Sequence, residues 1–139
     1  MGAANNQKQV AEAPVVIAMF SDMEATMANL EAIVHPGLAP EQRAATLGRL
    51  RTLFGAMTVE QRAAWGHAQA NIALGYLLLL AQSEGLATSP MLGLKADQVK
   101  ALLGIPEHAT ITALVALGRA GDDGFPSHRL DPDAITSFR

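Results

Sequence analysis

The stretch that decides the fold runs from Thr58 to Gly85 and reads TVEQRAAWGHAQANIALGYLLLLAQSEG. Thr58 followed by Gln61 is a capping-box pattern, which predicts that a helix begins here. Gly85 suits a left-handed cap after about Glu84, so the helix is long. Its second half, residues 72–81, is apolar on every side, which predicts burial all round in a core or a subunit interface. Because a short chain has difficulty enclosing such a helix, the segment favours an oligomer.

Shorter helices are predicted on both sides of this stretch. Ser21-Asp22-Met23-Glu24 is a second capping-box pattern and predicts a helix that continues to about Val34. Pro40 suits the first turn of another helix, which ends near Gly55. After the long helix, the segment from Lys95 to Leu103 is predicted to form a short amphipathic helix.

Two short apolar runs predict β-strands. Residues 13–20, APVVIAMF, are rich in β-branched side chains and suit a strand that is buried on both faces. Residues 110–117, TITALVAL, predict the second strand. The connection 86–93 is interpreted as a loop, and 118–126 as a turn-rich loop. Two strands alone make a marginal sheet, so they need neighbours from a partner subunit or from further chain.

Composition restricts the class of protein. Of the 139 residues, 50% are hydrophobic and 17% are charged, which excludes intrinsic disorder and allows one domain over 1–139. A net charge of -3 leaves no electrostatic footprint for nucleic acid. The absence of Cys excludes disulfides and thiolate metal sites. Neither a signal peptide nor a membrane-spanning run is recognisable, so we expect a cytoplasmic protein without membrane contact.

Metal and acid–base chemistry find little support in the sequence. The histidines lie in four separate segments without ligand spacing, so no metal site is predicted. These are His35, His67, His108 and His128. The acidic pairs Asp122-Asp123 and Asp131/Asp133 are interpreted as solvated turn residues.

Two other features have the chemistry of ligand contacts. In the segment SPMLG, Pro90 stiffens the turn, and Gly93 lets the backbone approach a planar group closely. The N–H groups of Met91, Leu92 and Gly93 would then face the ligand, although an ordinary connection between helices has the same pattern. Arg129 is a lone guanidinium in the tail, suited to bidentate phosphate contacts or to pairing with an acid.

Taken in order, several loose motifs resemble the nitroreductase family of flavin-dependent oxidoreductases. The resemblance runs from about Asn6 to the C-terminus and depends on the order and spacing of the motifs. They are Gln7–Ile17 entering the first strand, Trp65 and Gln69–Gly75 in the long helix, Glu84–Gly93, Val99–Pro106, Ala116–Gly118 and His128–Leu130.

The resemblance implies an α+β fold with helices around a small mixed sheet, and a homodimer with the long helix at its interface. It also implies FMN, which takes hydride from NAD(P)H and passes it to a nitroaromatic, quinone or similar small-molecule acceptor. The family's contact to the flavin N5/O4 edge falls on Met91, Leu92 and Gly93, with Pro90 shaping the loop. Its phosphate-binding arginine falls on Arg129.

The resemblance also implies that a part of the family domain lies outside this sequence. Family members normally begin with further chain, which carries an Arg-rich segment and an Asn-containing loop for the flavin. This sequence would then hold the C-terminal two-thirds of a domain, with residues 135–138 passing over the partner. Two alternatives remain open. One is a flavin-free dimerisation or ligand-binding module that keeps part of the fold, and the other is a small helical interaction protein unrelated to flavins.

Overall fold

The computed structural model describes residues 2–121, 124–126 and 128–138. Helices surround a small sheet, and a short 3-10 turn at Gly2–Ala4 precedes the first helix. The elements in chain order are α1 (Lys8–Glu12), β1 (Val15–Ser21), α2 (Met23–Ala28), α3 (Leu30–Ile33), α4 (Pro40–Gly55), α5 (Val59–Ser83), β2 (Ala87–Met91), α6 (Ala96–Leu103), β3 (Thr110–Gly118) and α7 (Pro132–Ile135). None of the helices in these ranges is long and apolar enough to cross a membrane.

The sheet has the strand order β1-β3-β2, with β3 in the centre. Both outer strands run antiparallel to β3, so that Ile17 lies opposite Val115 and Ser89 lies opposite Ala116. Val115 is fully buried, as expected for a central strand covered by α5. The α+β class is confirmed, but the expected mixed sheet is wrong, because every strand pair among the described residues is antiparallel.

The two outer strands differ most from the sequence prediction. Residues 87–91 form β2, although we expected a loop there, because ATSPM contains a proline and no run of large apolar residues. Pro90 is compatible with β2 because an edge strand tolerates a missing N–H. The prediction that β1 is buried on both faces is also wrong. It is the other edge strand, and Val15 and Phe20 are 48% and 44% exposed.

The long helix is confirmed with its predicted ends. The Gln61 N–H donates to Thr58 Oγ1 at 3.2 Å, and the Thr58 N–H donates to Gln61 Oε1 at 2.9 Å. This reciprocal pair satisfies two N–H groups that the first turn leaves unpaired. At the other end Gly85 has φ +71°, the left-handed conformation that a glycine adopts without strain.

Helix α5 has two apolar faces, of which one is packed. Leu74 on the inner face is buried against Val115 of the sheet. The opposite face, which we call the outer face of α5, is exposed over four large side chains. They are Ile72 (57%), Tyr76 (66%), Leu79 (72%) and Leu80 (63%). The core of the described chain therefore buries only the inner face, and burial of the outer face in a subunit interface stays a prediction.

The helix predicted from Ser21 to Val34 is interrupted. Ser21 is the last residue of β1, and the cap is Asp22, whose carboxylate accepts from the Ala25 N–H at 2.8 Å. Asn29, with φ -134°, separates α2 from α3. The predicted helices at 40–55 and 95–103 are confirmed, the latter beginning one residue later.

The side chain of Arg62 connects three helices through hydrogen bonds. Arg62 on α5 donates to both carboxylate oxygens of Glu24 on α2, at 2.7 and 3.0 Å. It also donates to the carbonyls of Phe54 and Met57 at the end of α4, at 3.2 and 2.6 Å. The Arg62 side chain is 12% exposed, and its hydrogen bonds lower the pKa of Glu24. These bonds position α2 and α4 against α5.

Candidate functional site

The end of β2 brings two backbone N–H groups to the surface. Met91 is the last paired residue of the strand, opposite Leu114, and its side chain is buried. Leu92 and Gly93 follow it and are exposed, Leu92 by 71%. Within the described part of the chain, no hydrogen bond from the Leu92 N–H or the Gly93 N–H is found. Two of the three predicted N–H donors are thus available to a ligand, and Met91 instead anchors the strand.

The remaining polar groups of this loop are used internally. The Leu94 N–H donates to the Leu92 carbonyl at 2.9 Å. The Gly93 carbonyl accepts from Asn5 Nδ2 at 2.9 Å and from Gln7 Nε2 at 2.8 Å. The Leu92 and Gly93 carbonyls therefore have donors within the protein, whereas the Leu92 and Gly93 N–H groups have no acceptor in the described chain.

The glycine at position 93 is not required by the chain's own packing. A Cβ added to Gly93 would meet a single described atom within 4 Å, Gln7 Nε2 at 3.6 Å, which is an ordinary contact. Its φ lies outside the left-handed region that would demand glycine. A planar ligand close to the backbone would explain the missing side chain, as the sequence indicates.

Pro90 lies within β2, opposite Val115, and its side chain is exposed. It therefore acts in the edge strand that leads to the loop and not in a turn. The prediction that Pro90 lies in a turn is wrong, and the part of Pro90 in a ligand site stays a prediction.

A groove of about 400 Å3 lies beside β2, between α1 and the end of β3. Its polar lining was not predicted, because β2 itself was interpreted as a loop. The side chains with polar groups along it are Gln9, Glu12, Thr88, Ser89 and Arg119. The groove lies along residues 87–89 of β2, and residues 90–93 do not line it.

Arg129 is exposed in the segment that follows β3. Its Nη1 donates to the carbonyl of the neighbouring His128 at 2.8 Å, and no carboxylate within 128–138 or the other described ranges pairs with it. The structure does not bring Arg129 into hydrogen-bond contact with residues 90–93. Its guanidinium is available to an anion.

Other predicted features of the tail have mixed outcomes. Asp131, which we interpreted as a solvated turn residue, accepts from the Asp133 N–H at 2.9 Å and caps the short helix α7, which was not predicted. Asp122 and Asp123 lie outside the described residues. Over the described ranges, no group of three or more His, Cys, Asp or Glu side chains is placed to hold a metal ion.

Comparison with known proteins identifies the family of this chain. The model of the nitroreductase family matches residues 2–119. A Thermus thermophilus protein named NADH dehydrogenase is 45% identical over 137 residues, which cover 99% of this chain and 67% of that relative.

Solved structures give the same result for the fold. An Exiguobacterium sibiricum protein described as a nitroreductase, solved in complex with FMN, has a TM-score of 0.86 at 28% identity. The match covers 99% of this chain and 68% of that one. A nitroreductase family protein from Streptococcus pneumoniae has a TM-score of 0.84 at 24% identity, over 97% of this chain and 69% of its own. The predicted nitroreductase-like fold is confirmed, and this chain belongs to the nitroreductase family.

Proposed function

We propose that this protein is an FMN-dependent oxidoreductase of the nitroreductase type. The observation that carries the proposal is the family match over residues 2–119, together with two N–H groups at the exposed end of β2 that have no acceptor among the described residues. The Thermus relative named NADH dehydrogenase supports a nicotinamide donor, and the FMN complex of the Exiguobacterium protein supports the cofactor. When bound, FMN accepts hydride from NAD(P)H and passes it to a nitroaromatic, a quinone or a related small molecule.

The described residues fit the edge of a flavin. The flavin ring has acceptor atoms at N5 and O4, and the N–H groups of Leu92 and Gly93 are donors without partners in the described chain. Donors directed at this edge would stabilise the negative charge that develops on the ring when it is reduced. Met91 holds the strand beneath them, and the exposed ring of Pro90 offers apolar surface. Arg129 supplies a guanidinium for the phosphate.

Purified protein mixed with FMN tests the proposal directly. We expect the visible absorption band of bound flavin after gel filtration, and NAD(P)H oxidation in the presence of a quinone or nitroaromatic acceptor. A colourless protein that stays folded as a dimer would contradict the proposal and favour the flavin-free module.

The substitution Gly93→Ala tests the loop at the ring edge. We expect the Kd for FMN to rise roughly tenfold, because the added methyl group separates the backbone from the ring. The melting temperature of the flavin-free protein should change by less than about 2 °C, since the new Cβ meets no atom nearer than 3.6 Å. The matched control is Gly48→Ala on α4, where a Cβ has open space. Equal FMN affinities of all three proteins would contradict the assignment of Gly93.

The outer face of α5 supports a homodimer. Exposed large apolar side chains that recur along one helical face are typical of subunit interfaces. Ile135 and Phe138 near the C-terminus are also 70% and 92% exposed, which supports the expectation that this segment contacts a partner. A second copy of the chain would cover both surfaces.

The substitution Leu79→Glu tests this dimer. A carboxylate in the centre of the outer face should convert the dimer to a monomer at micromolar concentration, as measured by sedimentation velocity. Leu102→Glu on α6 is the matched control, because Leu102 is 76% exposed and Leu79 is 72% exposed. A dimer that persists in Leu79→Glu, or that is lost equally in Leu102→Glu, would exclude this face.

Domain organisation and location complete the proposal. Residues 1–139 belong to one domain, which is supported by the one sheet found in the described ranges, whose strands come from residues 15–118. The protein works in the cytoplasm, which the absence of Cys and the need for NAD(P)H support. Its net charge of -3 is consistent with a small-molecule substrate and not with nucleic acid.

A further inference from the structure

The segment before α1 holds the loop after β2 from behind. Asn5 and Gln7 donate to the Gly93 carbonyl through their side-chain amides, and the Lys95 N–H donates to the Ala3 carbonyl at 2.8 Å. We propose that Asn5 and Gln7 are positioning residues, which hold the Gly93 N–H in the direction of the flavin edge. This inference rests on the proposed function.

The direction of the Gly93 N–H follows from two planar peptide units. In a trans peptide, the C=O and the N–H point in opposite directions. The Leu92 carbonyl accepts from the Leu94 N–H, so the Gly93 N–H, which shares its peptide unit, points away from that bond. The Leu94 N–H belongs to the next unit, whose carbonyl Asn5 and Gln7 hold. When the two amides fix the plane of the Gly93–Leu94 peptide, the Leu94 N–H bond to the Leu92 carbonyl also fixes the plane of the Leu92–Gly93 peptide.

The loop needs such a restraint because its own residues supply little. Gly93 lacks a Cβ and has the widest conformational freedom of any residue type. The exposed Leu92 side chain adds little packing. Two amide donors occupy both lone pairs of the Gly93 carbonyl oxygen, which leaves that oxygen a single favourable orientation.

The restraining segment is itself anchored. Ala4 is 4% exposed and packs in a core cluster with Met91 and Val99. Asn5 and Asn6 follow it with φ +51° and +56°, a conformation that asparagine tolerates better than most residues. This left-handed pair turns the chain between the 3-10 turn and α1. The two amides that bind Gly93 therefore extend from a part of the core and not from a free end.

The double variant Asn5→Gly with Gln7→Met tests the proposal. Glycine retains the positive φ, methionine approximates the length of glutamine, and neither carries an amide donor or a charge. We expect reduced FMN to lose about tenfold more affinity than oxidised FMN, which lowers the midpoint potential by about 30 mV for a two-electron couple. In the flavin-free protein, the Leu94 amide should exchange hydrogen faster, while the melting temperature changes by less than about 2 °C.

A matched variant and the wild type distinguish the outcomes. Gln98→Met makes the same chemical change at an exposed position of α6 and should leave the potential unchanged. If the double variant binds FMN with the wild-type potential, the inference is overturned and the proposed function stands. If wild-type protein binds no FMN, both are overturned. If Gln98→Met lowers the potential equally, the effect is not specific to the Gly93 carbonyl, and the inference fails.

Discussion

Replacement of Arg129 by alanine is expected to weaken FMN binding by about a hundredfold while riboflavin binding stays unchanged. The guanidinium is exposed, and among the described residues it donates a hydrogen bond only to the carbonyl of His128. A phosphate can therefore be bound without first breaking an ion pair within the described chain. Riboflavin lacks the phosphate, so its affinity reports only the contacts of the ring and its side chain.

Titration of both ligands by flavin fluorescence measures this difference. Arg49→Ala is the matched control, because Arg49 is an exposed arginine on α4 that binds no other side chain in the described part of the protein. It removes the same charge from the protein and should leave both affinities unchanged. A parallel loss of FMN and riboflavin affinity in Arg129→Ala would indicate a structural effect, and unchanged FMN affinity would exclude Arg129 from the phosphate site.

Replacement of Arg62 by alanine is expected to lower the melting temperature by roughly 5–10 °C. The substitution leaves Glu24 without its cation and the Met57 carbonyl without its Arg62 donor, while the Phe54 carbonyl keeps the Met57 N–H at 3.2 Å. Partly buried groups that lose a charged partner destabilise the folded state more than exposed ones do. Thermal unfolding followed by circular dichroism measures the loss.

Arg51→Ala is the matched control for this helix contact. Arg51 pairs with Glu31 at 3.4 Å, but both side chains are more than half exposed. We expect the melting temperature to change by no more than about 1 °C, because exposed ion pairs contribute little to stability. A similar loss in both variants would show that the partly buried position of Arg62 has no special effect.

The contribution of Arg62 should also depend on pH. Arg62 lowers the pKa of Glu24 in the folded protein below the ordinary value of 4.5. A carboxyl group whose pKa is lower in the folded than in the unfolded protein stabilises the fold at pH values above its unfolded pKa. This stabilisation is lost as the pH falls through the folded pKa. The difference in the free energy of unfolding between wild type and Arg62→Ala should therefore have its full size at neutral pH and decrease below about pH 4.5. A difference that stays constant down to the acid-unfolding range would assign the stability to packing alone.

Short sequence patterns predicted those parts of the fold whose contacts are made between residues close to each other in the sequence. The Thr58/Gln61 box and Gly85 determine the ends of α5, because caps are made within one turn of the helix. Strand β2 was missed because its stability comes from pairing with β3, whose paired residues lie 23 to 31 positions further along the chain. Its own sequence, with Pro90 and without a large β-branched residue, does not favour a strand.

The candidate site shows the same division. Pro90 and Gly93 mark the loop because their backbone properties can be read from a single residue. The hydrogen bonds from Asn5 and Gln7 to Gly93 span more than 80 positions and leave no periodic pattern. The successive asparagines at 5 and 6 were a usable signal, since such pairs favour turns and left-handed backbone. That signal indicates a turn but not the carbonyl that the turn serves.

The proline in β2 has a consequence for aggregation. An exposed strand edge is a template on which another polypeptide can add a strand through a continuous row of N–H and C=O groups. β2 has only five residues, and Pro90 interrupts that row because it has no N–H. The chain can thus keep this edge open to solvent with little tendency to polymerise, and the open edge stays accessible to a small molecule.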